Sequence, residues 1–273
     1  MKKLSATLFF LVVCLTVHAQ GQFVHQASAR WGTNLNDHAS VCALANDGAM
    51  LLAGTFSNTI DLDPGPNEVL VAAVPSATPP SVDVFVVKLN ADGSYAWGFT
   101  LGNDRTELVG GAAFTQNGDV LLACSFSRAV DIDPGSAEVL SPAMGNHSAV
   151  LRLDSQTGAL QDHMILSSPV NQFFTSAHTV LGLEVDADGG FALHGAFGDN
   201  LDLDPGAGVA QVNTSGGSDA FVAKYDAAMD FEWGFALGGT GNFTDQTTDI
   251  RFDEDGALYV GGFFNAGTDF DPG

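Results

Sequence analysis

Apolar residues recur at every second position in four short runs. One face reads Met50, Leu52, Gly54 and Phe56; then Val120, Leu122, Cys124 and Phe126; then Phe191, Leu193, Gly195 and Phe197; then Leu258, Val260, Gly262 and Phe264. A period of two predicts β-strands. The opposite face is also apolar or small, as in Leu51 and Ala53 or Leu121 and Ala123. Such strands are covered on both sides, as in sheets that pack face to face. The third position is always small, which predicts a close backbone approach. An Asp-Gly or Asn-Gly pair precedes each run, at Asp47-Gly48, Asn117-Gly118, Asp188-Gly189 and Asp255-Gly256, and predicts a hairpin turn.

Two further strands complete the unit. Phe85-Val86-Val87-Lys88-Leu89 matches Phe221-Val222-Ala223-Lys224-Tyr225 and, more loosely, Ala149–Leu153. Ala96-Trp97-Gly98-Phe99 matches Glu232-Trp233-Gly234-Phe235, and Asp162 stands where Trp stands in those two. Arg30-Trp31-Gly32 reads as the same strand of a preceding unit. In chain order the strands are a (before the Gly turn), b (the alternating run), c (the Phe-Val strand) and d (the Trp strand).

An insert between b and c carries a five-residue motif four times. Asp61-Leu62-Asp63-Pro64-Gly65 recurs at Asp131–Gly135, Asp202–Gly206 and Asp269–Gly273, in steps of 70, 71 and 67 residues. Even spacing of this kind is the mark of a repeat architecture. The predicted fold is all-β: a β-propeller-type repeat of four-stranded antiparallel blades, about three full blades plus partial ones. The units run over about 20–37 (partial), 38–107, 108–178, 179–246 and 247–273 (partial). The final unit stops inside its motif, so the expectation is an open or truncated arc with an exposed edge after Phe264.

The N-terminus reads as a secretory signal over 1–19: Lys2 and Lys3, an apolar run from Leu8 to Val17, then Val17-His18-Ala19 as a cleavage site. A lipoprotein processed at Cys14 is the weaker alternative, because Val13 is bulky. No later stretch is long and apolar enough for a membrane helix. The net charge is −23, and −25 without the two leader lysines. Such a surface repels phosphate backbones, which excludes nucleic acid as a partner and favours cations or basic surfaces. Cys42 and Cys124 occupy different repeat positions on apolar strands and are expected to be buried, unbridged thiols.

The ordered set of motifs, Asp219–Tyr225, Trp233-Gly234, Asp253–Gly256, Val260–Phe264 and Thr268–Gly273, resembles the repeat of the bacterial seven-bladed β-propeller (SBBP) family. The resemblance covers nearly all of the chain after the leader. It implies a propeller in a secreted or surface protein of Gram-negative bacteria, often with a C-terminal sorting domain. That family has no common catalytic residues to carry over.

The motif is the main candidate for chemistry. Asp61 and Asp63, Asp131 and Asp133, Asp202 and Asp204, and Asp269 and Asp271 are each two apart, so both carboxylates of a pair point to one side of an extended segment and offer hard oxygens to Ca²⁺. A plain turn is the simpler reading: Asp bonds the backbone, Pro sets φ, and Gly takes the positive φ of a type II turn. That reading leaves the first Asp of each motif over. Asp186–Gly189 and Asp253–Gly256 resemble half of a calcium loop but lack its terminal Glu, so they read as β-turns. Lys88, Arg152 and Lys224 are expected to meet acidic turns or cover apolar surface, and Trp97 and Trp233 to pack between blades. The histidines show no zinc spacing, and no nucleophile elbow or phosphate loop is present. The long d-to-a segment Ser167–Thr179 is a candidate functional loop. Together these features predict an exported, non-enzymatic binding or structural module for a protein or glycan ligand. The alternatives are a calcium-dependent adhesion or carbohydrate-binding module, and an extracellular hydrolase or lyase.

Overall fold

The computed structural model describes residues 10–17, 23–31, 37–76, 81–142, 144–167, 179–241, 244–265, 267, 268 and 270. Phe10–Val17 (β1) and Phe23–Trp31 (β2) pair antiparallel with each other. Arg30 and Trp31 therefore belong to this ribbon and not to a blade. The expected cleavage site falls at its edge, with residues 18 and 19 outside the described part.

Three four-stranded antiparallel sheets follow. The first contains His38–Leu44 (β3) and Met50–Phe56 (β4), then an insert hairpin of Thr59–Asp61 (β5) and Leu70–Ala72 (β6), then Asp83–Leu89 (β7) and Tyr95–Leu101 (β8). The second contains Leu108–Phe114 (β9), Val120–Arg128 (β10), Met144–Leu153 (β11) and Leu160–Ser167 (β12). The third contains Thr179–Val185 (β13) and Phe191–Phe197 (β14), the insert Asn200–Asp202 (β15) and Gln211–Asn213 (β16), then Asp219–Tyr225 (β17) and Phe231–Leu237 (β18). Strands Gln246–Phe252 (β19) and Leu258–Phe263 (β20) begin a fourth. Each full sheet is a meander in the order a-b-c-d. The fold is thus all-β, an open, propeller-like arrangement of blades.

The a strands meet in succession, β3 with β9, β9 with β13 and β13 with β19, so they form the inner edge. Each carries a register shift, at Ala39/Val41, at Gly111/Val109, at Val180/Gly182 and at Thr247/Asp249. The small third residue of strand b faces that bulge. A Cβ on Gly54, Gly195 or Gly262 would collide with the carbonyl of His38, Thr179 or Gln246. Bulges add twist, which suits a strand on a tight inner edge.

The b and c strands of the three blades are buried on both faces. Their side chains form the cores, with Leu51, Val86, Leu122 and Leu151 between blades one and two and Leu121, Val150, Leu193 and Phe221 between blades two and three. In β20, Tyr259 and Phe263 are exposed, because no strand c covers it among the described residues. Gly48, Gly118, Gly189 and Gly256 all have φ between 82° and 89°, as hairpin glycines require. Cys124 is buried, but Cys42 is exposed, contrary to expectation: β3 opens the first blade, and among the described residues no preceding blade lies against its alternate side chains. Among the described residues no helix is long and apolar enough to cross a membrane.

Candidate functional site

In each blade the b-to-c insert and the d-to-a connection leave from the same end. They are joined there by parallel bridges, Val82 with Thr106 and Ser218 with Thr244. This end is therefore one rim, built from the most irregular parts of the chain. Most of the long d-to-a segment Ser167–Thr179 lies outside the described residues.

The Asp-x-Asp-Pro-Gly motif is built alike in three blades. Asp61 Oδ1 accepts from the Asp63 amide (3.1 Å) and the Val69 amide (2.8 Å). Asp131 Oδ1 accepts from Asp133 (3.2 Å) and Val139 (2.9 Å), and Asp202 Oδ1 from Asp204 (3.1 Å) and Ala210 (2.8 Å). The first Asp, unexplained by turn chemistry, is a clamp across the mouth of the insert. The second Asp makes an Asx turn onto the glycine amide: Asp63 to Gly65 (2.7 Å), Asp133 to Gly135 (2.8 Å) and Asp204 to Gly206 (2.8 Å). Gly65, Gly135 and Gly206 are not in the positive-φ region, so the expected type II turn is not formed. Glycine is needed there for space, since a Cβ would stand 2.9 to 3.0 Å from the Asp Oδ1.

The middle residue of the motif is a plug. Leu62, Ile132 and Leu203 are fully buried. A Cβ on Gly98 would stand 3.3 Å from Leu62 Cδ1, and one on Gly234 only 2.7 Å from Leu203 Cδ1. Gly98 and Gly234, which follow Trp97 and Trp233, therefore each make room for the plug of their own blade. Asp269 and Asp271, the fourth calcium candidates, lie outside the described residues. Among the described residues no three His, Cys, Asp or Glu side chains converge as a metal group. The hairpin acids act locally too: Asp186 Oδ1 accepts from the Asp188 amide (2.8 Å), and Asp253 Oδ1 from Asp255 (3.0 Å) and Ala257 (2.8 Å).

The repeated cation of strand c is an inter-blade latch. Lys88 Nζ donates to the Ser155 carbonyl (2.7 Å), and Trp97 Nε1 donates to the same oxygen (2.9 Å). Arg152 donates to the Ala227 carbonyl. Ser155 and Ala227 hold the same position in the c-d hairpins of the next blades. Lys224 has no such hairpin ahead of it among the described residues and pairs with Asp186 (2.6 Å) and Glu232 (3.1 Å) of its own blade. The tryptophans report the same difference: Trp97 is 8% exposed and Trp233 40%.

His194 crosses the next junction. Its Nδ1 lies 2.8 Å from Thr247 Oγ1 of β19. Burial holds the imidazole down to about 4, from 6.5. The folded protein keeps this ring neutral, whereas the unfolded chain protonates it below 6.5. Its contribution is complete above pH 6.5 and is lost as pH falls from 6.5 towards 4, by up to about 3 kcal/mol. His194→Gln should flatten that limb of a melting-temperature curve against pH; an unchanged limb would assign it to other groups.

These features define an open propeller-like repeat with a clamped, acidic rim. No family model matches the chain. A 148-residue stretch is 28% identical to the regulatory protein FlaEY of Caulobacter vibrioides, covering 54% of this chain and 14% of that protein. The chain thus spans only a small part of that relative. A crystal structure of a protein of unknown function from Bacteroides caccae superposes with a TM-score of 0.39 at 10% identity, over 88% of this chain and 75% of that one.

Proposed function

We propose that the protein is an exported, non-enzymatic propeller module that binds a surface protein or glycan through its insert-bearing rim. One observation carries this reading. The insert of each blade holds up an exposed apolar side chain, Leu70, Leu140 or Val209, on a strongly acidic molecule. Each stands on a loop that the Asp clamp holds in one shape. Set on the same rim, one per blade, these side chains offer a partner a repeated series of apolar contacts. The leader-like N-terminus and the resemblance to the SBBP repeat support export.

The test uses the full chain against panels of polysaccharides and bacterial surface proteins, with retention and substrate turnover both measured. The expected result is retention without turnover. It is lost in the Leu70→Ser, Leu140→Ser, Val209→Ser triple variant, whose melting temperature stays near the wild type. Turnover would replace the binding reading with the hydrolase one. Retention untouched by the triple variant would move the binding face off the rim.

A further inference from the structure

Two pairs of buried carboxylates serve neither the inserts nor the hairpins. Asp83 (2% exposed) opens β7, and Glu107 (0% exposed) immediately precedes β9 of the next blade. The backbone draws them together. The Glu107 amide donates to the Val82 carbonyl (2.9 Å), beside Asp83. Both carboxylates also meet the two residues that follow β8. Asp83 lies against Gly102, where a Cβ would overlap its carboxylate, and Glu107 Oε2 accepts from the Asn103 amide (3.4 Å). Asp83 Oδ2 accepts from the Val74 amide (2.7 Å). Asp83 Oδ1 and Glu107 Oε1 are sealed from solvent with no donor among the described residues. None of the ion pairs among those residues involves either group.

The construction recurs two blades on. Asp219 (1% exposed) opens β17 and lies against Gly238; its Oδ2 accepts from the Ser215 amide (2.6 Å), and its Oδ1 is again buried without a donor. Asp245, just before β19, accepts from the Gly239 amide (3.0 Å), and its own amide donates to the Ser218 carbonyl (2.7 Å). Asp245 is the better satisfied of the two, since Asn265 also donates to it. At the intervening junction His147 stands where Asp83 and Asp219 stand, with Nε2 3.0 Å from Ser141 Oγ. Burial holds this imidazole below its usual range. A side chain held towards its neutral form thus fits the blade at this position, so strand c does not itself require a carboxylate.

Two sealed carboxylates must carry protons or a counter-charge, because an uncompensated buried charge costs several kcal/mol. Burial pushes Asp83 up to about 6 and Glu107 up to about 7, with the Asp83 charge adding to the latter. Basic side chains are scarce in a chain of net charge −23. The unsatisfied atoms of the two pairs, Asp83 Oδ1, Glu107 Oε1 and Asp219 Oδ1, are carboxylate oxygens, donors for hard cations and not for soft ones. We infer that the Asp83–Glu107 and Asp219–Asp245 pairs each bind one hard divalent cation of the Ca²⁺ class, tying strand c of one blade to the start of the next. This inference does not depend on the rim as a binding face.

The test is Ca²⁺ titration of chelator-stripped full-length protein by calorimetry, with melting temperatures in chelator and in about 1 mM Ca²⁺. The expected result is two cations per chain and a rise in melting temperature of about 5 °C or more. Asp83→Asn and Glu107→Gln should each remove one cation, and Asp219→Asn the other. In chelator the wild type must keep Asp83 Oδ1 and Glu107 Oε1 sealed from water without a partner. Asp83→Asn should be the more stable protein there and the less stable one in Ca²⁺. That reversal of sign is specific to a cation. If Asp83→Asn is stabilising in both conditions and the wild type takes up no Ca²⁺, the pairs share protons and the inference fails. It fails equally if Ca²⁺ uptake survives these variants and is abolished by Asp61→Asn, Asp131→Asn and Asp202→Asn, which would put the cation at the turns.

Discussion

Leu203→Ala is expected to lower the free energy of unfolding by about 2–5 kcal/mol, measured by urea denaturation. Leu203 is fully buried in the core that joins the second and third blades, beside Leu201, Phe221 and Tyr225. Tyr225 donates its hydroxyl to the Leu203 carbonyl (2.8 Å), so the surrounding structure is held at both ends and cannot close onto a cavity. Poor collapse places the loss towards the upper part of the range. Gly234→Val should act from the other side, because its Cβ would stand 2.7 Å from Leu203 Cδ1 and drive the plug out. Pairing the two substitutions should give less than the sum, since they damage one contact. A loss below about 1 kcal/mol for Leu203→Ala would show that the insert is a surface appendage, not part of the core.

The second large effect separates the two readings of the motif. Asp202→Ala removes the acceptor of the Asp204 and Ala210 amides and is expected to cost about 1–3 kcal/mol, with faster hydrogen exchange at both amides. Asp202→Asn keeps an Oδ1 acceptor and should stay close to the wild type. A cation site at the turn would be hurt by both substitutions, because Asn surrenders the charge. Near-neutral Asn with damaging Ala therefore identifies the clamp. Equal damage by both would identify the turn as a calcium ligand. The same pair at Asp61 or Asp131 should repeat the result, since those clamps are built with the same bonds.

Unit length, strand order, hairpin turns and the place of the insert were legible in the chain itself. They depend on period-two alternation and on glycine-bearing turns, which are local properties of a few neighbouring residues. The small third residue of strand b was legible for the same reason, because the bulge facing it lies in the adjacent hairpin strand. The spacing of Asp61, Asp131 and Asp202 shows where their carboxylates point and not which amides reach them. Val69, Val139 and Ala210 are eight residues further on and meet the clamp only after the insert folds back.

The role of Lys88 was hidden because its acceptor, the Ser155 carbonyl, belongs to the next blade. Trp97 and Trp233 look alike in sequence and differ only in whether a following c-d hairpin covers them. The buried acids were the largest omission. Asp83 and Asp219 stand at matching positions in the repeat, but their solvent-sealed oxygens arise from the meeting of strand c with the following unit. The chain by itself determines the blade, since strands and turns are set by neighbours in sequence. The tertiary structure decides what the repeated polar residues do, since their partners lie a blade away and a carboxylate's character follows from what surrounds it.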